Sequence, residues 1–141
     1  MIVPGVVARL AELSNLAKEQ GKRYDKKRFL YDGVKAALLS RSFVGIAGLR
    51  GVGKTVILRQ LSAELEGSFY LSMDAVEPGV SLFELAKRLS TDYGVKHLFV
   101  DEIHSLKGWQ GEVKKIFDFL DVKMAFTSSA ALEVSQSRFD L

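Results

Sequence analysis

The 141-residue sequence contains no cysteine, two histidines and two prolines. Without cysteine there is neither a disulfide framework nor a thiolate zinc site, and His97 and His104 are too few for a histidine metal cage. No run of about 18 apolar residues occurs, the length that a membrane-spanning helix needs. The opening Met1-Ile2-Val3-Pro4-Gly5 lacks a basic leader followed by an apolar stretch. These absences lead to the expectation of a protein that is neither secreted nor membrane-spanning and works in a reducing cytoplasm. Nor does charge of one sign dominate. The net charge of +3 fits a polyanion partner such as nucleic acid and equally an ordinary basic protein.

What is present is 48% hydrophobic residues, enough to bury one core, arranged in alternating helical and strand patterns. Val6, Leu10, Leu13 and Ala17 recur at helical spacing, with Gly21 as the expected stop. A second helical pattern runs through Val34, Ala37 and Leu38 and ends near Ser40. Phe43 to Ala47 then reads as a strand. Ile57, Leu58, Leu61 and Leu65 mark a helix closed by Gly67, and Phe69 to Met73 a second strand. Ser81 and Glu84 form a capping box for the helix of Leu82, Leu85, Ala86 and Leu89, which Gly94 ends. Lys96 to Val100 is the third strand. Val113, Ile116, Phe117 and Leu120 mark one more helix and Val122 to Thr127 a fourth strand. Such alternation predicts right-handed crossovers and a parallel sheet covered on both faces, a three-layer α/β arrangement.

Between the first of these strands and its helix lies Gly48-Leu49-Arg50-Gly51-Val52-Gly53-Lys54-Thr55, a full match to G-x-x-x-x-G-K-[ST] in the strand–loop–helix setting that the motif requires. Glycines let consecutive backbone N–H groups point at a phosphate, and the helix that follows adds its positive end. Gly48, Arg50, Gly51, Val52, Gly53, Lys54, Thr55 and Val56 are therefore the expected nucleotide contacts. Lys54 is expected to reach the β- and γ-phosphates. Thr55 offers a hydroxyl to Mg²⁺, which prefers oxygen ligands and binds through few protein groups.

Phe99-Val100-Asp101-Glu102 supplies acids at the end of an apolar strand. Asp101 is placed to hold Mg²⁺ and Glu102 to activate the water that attacks the γ-phosphate. Thr127, Ser128 and Ser129 end the fourth strand in hydroxyls. They read either as a γ-phosphate or water contact, with Ser128 preferred, or as caps of a strand-to-helix turn. Other residues keep two readings. His104 is a γ-phosphate contact or polar surface, Arg50 and Arg138 are charge stabilisers or solvated, and Trp109 is a stacking platform or a cover for apolar surface. Lys22, Arg23, Lys26, Lys27 and Arg28, interleaved with Tyr24 and Phe29, form a solvated basic connector or a contact for nucleic acid or nucleotide.

On the residues at 48 to 55, on Phe-Val-Asp-Glu-Ile-His at 99 to 104 with Gly108-Trp109 after it, and on Thr127-Ser128-Ser129, the chain from about Phe43 to Glu133 resembles the AAA+-like P-loop ATPases of archaea and bacteria. In that family the ATPase domain is commonly followed by winged-helix or nuclease-like domains. The resemblance implies that the hydroxyl run is a sensor position. It also implies that the fourth strand is inserted between the acid-bearing and loop-bearing strands, giving the order 2-3-4-1. The family's fifth strand, helical lid and completing arginines have no counterpart here. The expected organisation is thus an N-terminal helical segment, 1–42, and a P-loop ATPase core, 43–141, truncated at its C-terminus.

The leading expectation is Mg-dependent ATP binding and hydrolysis coupled to a conformational change, felt by DNA or a protein partner through absent C-terminal domains. The alternative is an ATP-dependent switch with negligible turnover of its own. Guanine is disfavoured, since no Asn-Lys-x-Asp stretch is present to read it and no glycine stands three positions after Asp101. The adenine ring is expected near the stretch from Lys22 to Phe29.

Overall fold

A computed structural model describes residues 4–23, 29–41, 43–48 and 53–129. In chain order its elements are α1 (Pro4–Arg23), α2 (Phe29–Arg41), β1 (Phe43–Gly48), α3 (Lys54–Glu64), β2 (Ser68–Ser72), α4 (Leu82–Tyr93), β3 (His97–Asp101), α5 (Trp109–Phe119) and β4 (Lys123–Ser129). Short 3₁₀ turns at Met73–Ala75 and Ile103–Ser105 follow β2 and β3. All four strands pair in parallel in the order β1-β4-β3-β2, the order that the resemblance implies. Among the described strands β1 stands at one edge of the sheet.

Parallel strands joined by helical crossovers are covered on both faces and carry near-continuous apolar runs. Phe43, Leu98, Val100, Met124 and Phe126 face a core built with α4, α5 and the first half of α1. Val44, Tyr70, Phe99 and Ala125 face another, built with Tyr31 and Leu38 of α2 and Ile57, Leu58 and Leu61 of α3. Each fully buried leucine here contributes about 1.5–3 kcal/mol by leaving water. Trp109 is 2% exposed and its indole lies 5.7 Å from the Phe126 ring, so it serves as core at the start of α5.

The outer strand β2 is closed off by α1. Ser14, buried on α1, accepts a hydrogen bond from the Tyr70 N–H at 2.9 Å, so a backbone donor of an edge strand is satisfied by a side chain. Val6, Val7 and Leu10 of the same helix join the α4/α5 core, and Ala17 joins the α3 core. The N-terminal helix is thereby packed into both layers.

One local expectation is revised and another is extended. Gly21 does not end the first helix, which continues to Arg23. The glycine is needed instead for close approach, because a Cβ there would lie 2.2 Å from the Arg59 carbonyl oxygen of α3. At the start of α4, the Ser81 hydroxyl accepts from the Glu84 N–H at 3.2 Å, as a capping box predicts. It also donates to Glu112 of α5 at 2.8 Å, and that carboxylate accepts the Phe83 N–H at 2.9 Å. Burial opposes ionisation of Glu112. The bonds from Phe83, Ser81 and Lys115 outweigh it and hold the carboxyl below its ordinary range.

The α1–α3 approach predicts opposite signs for two glycine substitutions. Gly21→Ala should lower stability by about 1–3 kcal/mol through overpacking against backbone. Gly111→Ala in α5, where an added Cβ meets nothing within 4 Å, should raise it by about 0.4–1 kcal/mol. Urea denaturation of the two variants measures this, and a neutral Gly21→Ala would contradict the packing.

Candidate functional site

The site is built where three parallel elements end at the same edge. β1 stops at Gly48, and α3 starts at Lys54 behind Gly53, whose φ of 88° lies in the left-handed region that glycine enters without strain. The first turn of a helix leaves N–H groups without intrahelical partners and gathers positive potential. Lys54, Thr55 and Val56 occupy that turn. Leu49, Arg50, Gly51 and Val52, like Arg138 and the basic residues from Lys26 to Arg28, lie outside the described residues.

Lys54 is 9% exposed, and its Nζ donates to the Ser128 carbonyl oxygen at the end of β4, 2.7 Å away. The neighbouring Thr55 hydroxyl donates to Asp101 Oδ2 at 2.8 Å. Asp101, 4% exposed at the end of β3, receives two further donors: the Tyr70 phenol on Oδ2 at 2.6 Å and the Thr127 hydroxyl on Oδ1. Burial, and then the charge of Asp101, push the Tyr70 phenol far above its ordinary pKa, so it remains a donor. The Arg59 guanidinium lies 5.3 Å from the centre of the Tyr70 ring and also donates to the Gln20 amide oxygen of α1.

Glu102 follows Asp101 with φ 55° and ψ 47°, the only non-glycine residue with positive φ among those described. Its N–H is held by Thr127 Oγ1 at 2.9 Å. The chain then turns at once to bury Ile103, leaving the Glu102 side chain partly open, with its carboxylate 4.0 Å from His104 Nε2. A cleft of about 460 Å³ opens between Gly53–Val56 and Arg59 on one side and Asp101, Glu102 and Asp74 on the other.

The two hydroxyls at the end of β4 separate. Met124 and Phe126 belong to the α4/α5 core and Ala125 to the α3 core. The two-residue period of a strand therefore puts Thr127 on the α3 side with Asp101 and Ser128 on the opposite side. Ser128 enters the site through its carbonyl, whereas Thr127 supplies the hydroxyl. Sequence reasoning picked out neither Tyr70 nor Arg59. The available signal was chemical: a buried tyrosine needs a partner for its hydroxyl, and Tyr70 stands on a strand that pairs with the acid-bearing one.

The donor set suits Mg²⁺, which binds through one or two carboxylates and hydroxyls together with phosphate and water rather than in an all-protein cage. Thr55 Oγ1 and Asp101 Oδ2 are adjacent hard oxygens. Among the described residues no cluster of three or more His, Cys, Asp or Glu is present that could hold a metal without a phosphate. No described helix is long and apolar enough to cross a membrane.

Because Thr127 pairs with both Asp101 and the Glu102 N–H, Thr127→Val should leave two buried polar groups unmatched and lower stability by about 1–3 kcal/mol. Ser128→Ala, which preserves the carbonyl facing Lys54, should cost less. Chemical denaturation of both variants tests the assignment, and a larger loss for Ser128→Ala would reverse it.

Comparison with known proteins places this geometry in a family. A model described as an AAA domain matches residues 40–140. An uncharacterized protein of Methanocaldococcus jannaschii is 29% identical over 132 residues, a match covering 80% of this chain and 28% of that protein. A solved structure titled "Structure of C. elegans PCH-2" is 17% identical with a TM-score of 0.46, covering 88% of this chain and 36% of that one. The chain thus spans little more than a quarter of the length of the curated relative. On the family match across most of its residues, the chain belongs to the AAA domain family, within the AAA+-like P-loop ATPases.

Proposed function

We propose that this chain binds ATP with Mg²⁺ and hydrolyses it, using the cleft between α3 and the ends of β2 and β3. The observation that carries the proposal is the meeting of Thr55, at the start of α3, with Asp101, 2.8 Å away at the end of β3, directly beside Lys54. Lys54 would exchange the Ser128 carbonyl for phosphate oxygens, a stronger, charge-assisted partner. Thr55 and Asp101 would hold the Mg²⁺, which when bound neutralises phosphate charge. The N–H groups from Gly53 to Val56, with those of Arg50, Gly51 and Val52, would face the phosphates.

Glu102 is the residue proposed to accept a proton from the attacking water. The water oxygen forms a bond to the γ-phosphorus as the bond to the β,γ-bridging oxygen breaks, releasing ADP and phosphate. The left-handed backbone at Glu102 supports this role by turning its side chain away from the core. Adenine is the proposed base, and the proposed setting is the cytoplasm. Further domains, if the chain is part of a protein as long as its relative, would carry the DNA or protein partner to which hydrolysis is coupled.

A second reading, an ATP-dependent switch with negligible turnover of its own, has one observation in its favour. Arg59 is the only arginine lining the cleft among the described residues, and it is engaged by Gln20 and the Tyr70 ring. An arginine that stabilises transition-state charge would then have to come from elsewhere.

Calorimetric titration with ATP and GTP, with and without Mg²⁺, followed by phosphate-release assays, tests both readings. ATP should bind in preference to GTP, and Lys54→Ala should weaken ATP binding about 10- to 100-fold, the worth of a charge-assisted hydrogen bond. Glu102→Gln should retain binding while phosphate release falls about 10²- to 10⁴-fold. A slow release that persists in Glu102→Gln would favour the switch, and a folded protein that binds neither nucleotide would overturn both.

A further inference from the structure

We propose that Tyr70 is a positioning residue for the magnesium carboxylate: from the outer strand it fixes the orientation of Asp101, so that one carboxylate oxygen faces the position a cation would take beside Thr55. The inference rests on the reading of the site as a Mg²⁺–nucleotide site.

Asp101 accepts hydrogen bonds from three hydroxyls. Oδ2 receives two, from Thr55 and Tyr70, and Oδ1 receives one, from Thr127. If a cation took the side of Oδ2 that the Thr55 hydroxyl now occupies, the Thr55 bond to Asp101 would be given up. Tyr70 and Thr127 then remain, one on each carboxylate oxygen, and a carboxylate held at both oxygens cannot rotate about its terminal torsion. Removing the Tyr70 hydroxyl would leave Asp101 held at Oδ1 alone and free to swing Oδ2 away from Thr55.

Tyr70 is itself held on three sides. Its N–H is bound by Ser14 of α1 at 2.9 Å, its ring lies beneath the Arg59 guanidinium of α3, and it is 5% exposed. The phenol can therefore reach Asp101 from one direction only. A donor on Oδ2 also withdraws electron density from the oxygen offered to the cation, which by itself would weaken coordination. Orientation by partners of a metal ligand is worth about 10- to 100-fold in metal affinity, and it outweighs that loss. The competing reading is a buried phenol that has merely found an acceptor. It predicts a loss of stability with no change in Mg²⁺ dependence, and this difference separates the two.

The test compares wild type with Tyr70→Phe, which removes a single oxygen, after thermal melting has established that both are folded. ATP is titrated by calorimetry in EDTA and at a series of Mg²⁺ concentrations. The expected result is unchanged affinity in EDTA and a Mg²⁺ requirement raised about tenfold in Tyr70→Phe. An unchanged Mg²⁺ requirement overturns the role of Tyr70 alone. A wild type that binds ATP without any effect of Mg²⁺ overturns the metal reading and this inference with it.

Should Tyr70→Phe fail to fold, the wild-type chain provides the readout through tyrosine labelled with ¹³C at Cζ. The Tyr70 resonance is assigned by elimination with Tyr24→Phe, Tyr31→Phe and Tyr93→Phe. It should move when Mg²⁺ is added to the ATP-bound protein, and a resonance that stays fixed overturns the proposal.

Discussion

The interaction on which the rest depends is the burial of one carboxylate. Asp101 is 4% exposed, and a carboxylate removed from water is costly unless hydrogen bonds replace its hydration. Three hydroxyls do so, from Thr55 on α3, Tyr70 on β2 and Thr127 on β4. Bonds to charged groups contribute about 1.5–3 kcal/mol each, so the three together offset much of the desolvation. The donors can meet only because β3 lies between β2 and β4. The crossover that inserts β4 between β1 and β3 brings Lys54, Thr55 and the two acids to one edge, and the fold and the site are in this sense one constraint.

How much of this was legible in the sequence follows from how local each feature is. The helix after the glycine-rich motif was legible because its apolar positions share one face. It starts at Lys54 behind the left-handed Gly53, while residues 49–52 of the loop lie outside the described residues. The parallel α/β class follows from alternating periods, whereas the strand order came only from resemblance, since no residue pattern encodes which strand is inserted. Tyr70 stayed hidden because both faces of β2 are buried. Phe69, Tyr70 and Leu71 form an unbroken apolar run with no phase to show which side chain faces the acid. The same loss of phase along Met124, Ala125 and Phe126 let Ser128 be preferred to Thr127, although the strand sends them to opposite faces and the Thr127 hydroxyl is the one on Asp101. Gly21 misled for another reason: a helical glycine marks an ending and a close approach equally well, and only the position of the Arg59 carbonyl decides between them.

The N-terminal helix illustrates how one element can serve packing and site together. An outer strand carries backbone donors that no other strand accepts, and α1 meets this need at Tyr70 through Ser14. To lie along that edge it must pass close to α3, which Gly21 permits, and at that crossing Gln20 reaches Arg59. Arg59 in turn covers the ring whose hydroxyl binds Asp101. A helix that the sequence presents as a segment before the core is thus linked to the acid in three contacts. A shift of α1 would be transmitted through packed side chains and a hydrogen bond rather than through a loose connector.

Glu102 presents the opposite balance, a residue placed against local preference. A non-glycine residue at φ 55° costs on the order of 1 kcal/mol relative to glycine, and asparagine or glycine would sit there with less strain. Two contacts hold the conformation: the Thr127 hydroxyl takes the Glu102 N–H, and the next side chain, Ile103, is fully buried. Neither contact involves the Glu102 carboxylate, so neither accounts for a glutamate at this position. The strain is held in place by the neighbours while the carboxylate is left facing the cleft and His104. Stability would favour a smaller residue at this turn. An acid at this position lines the cleft, where the proposed hydrolysis would use it.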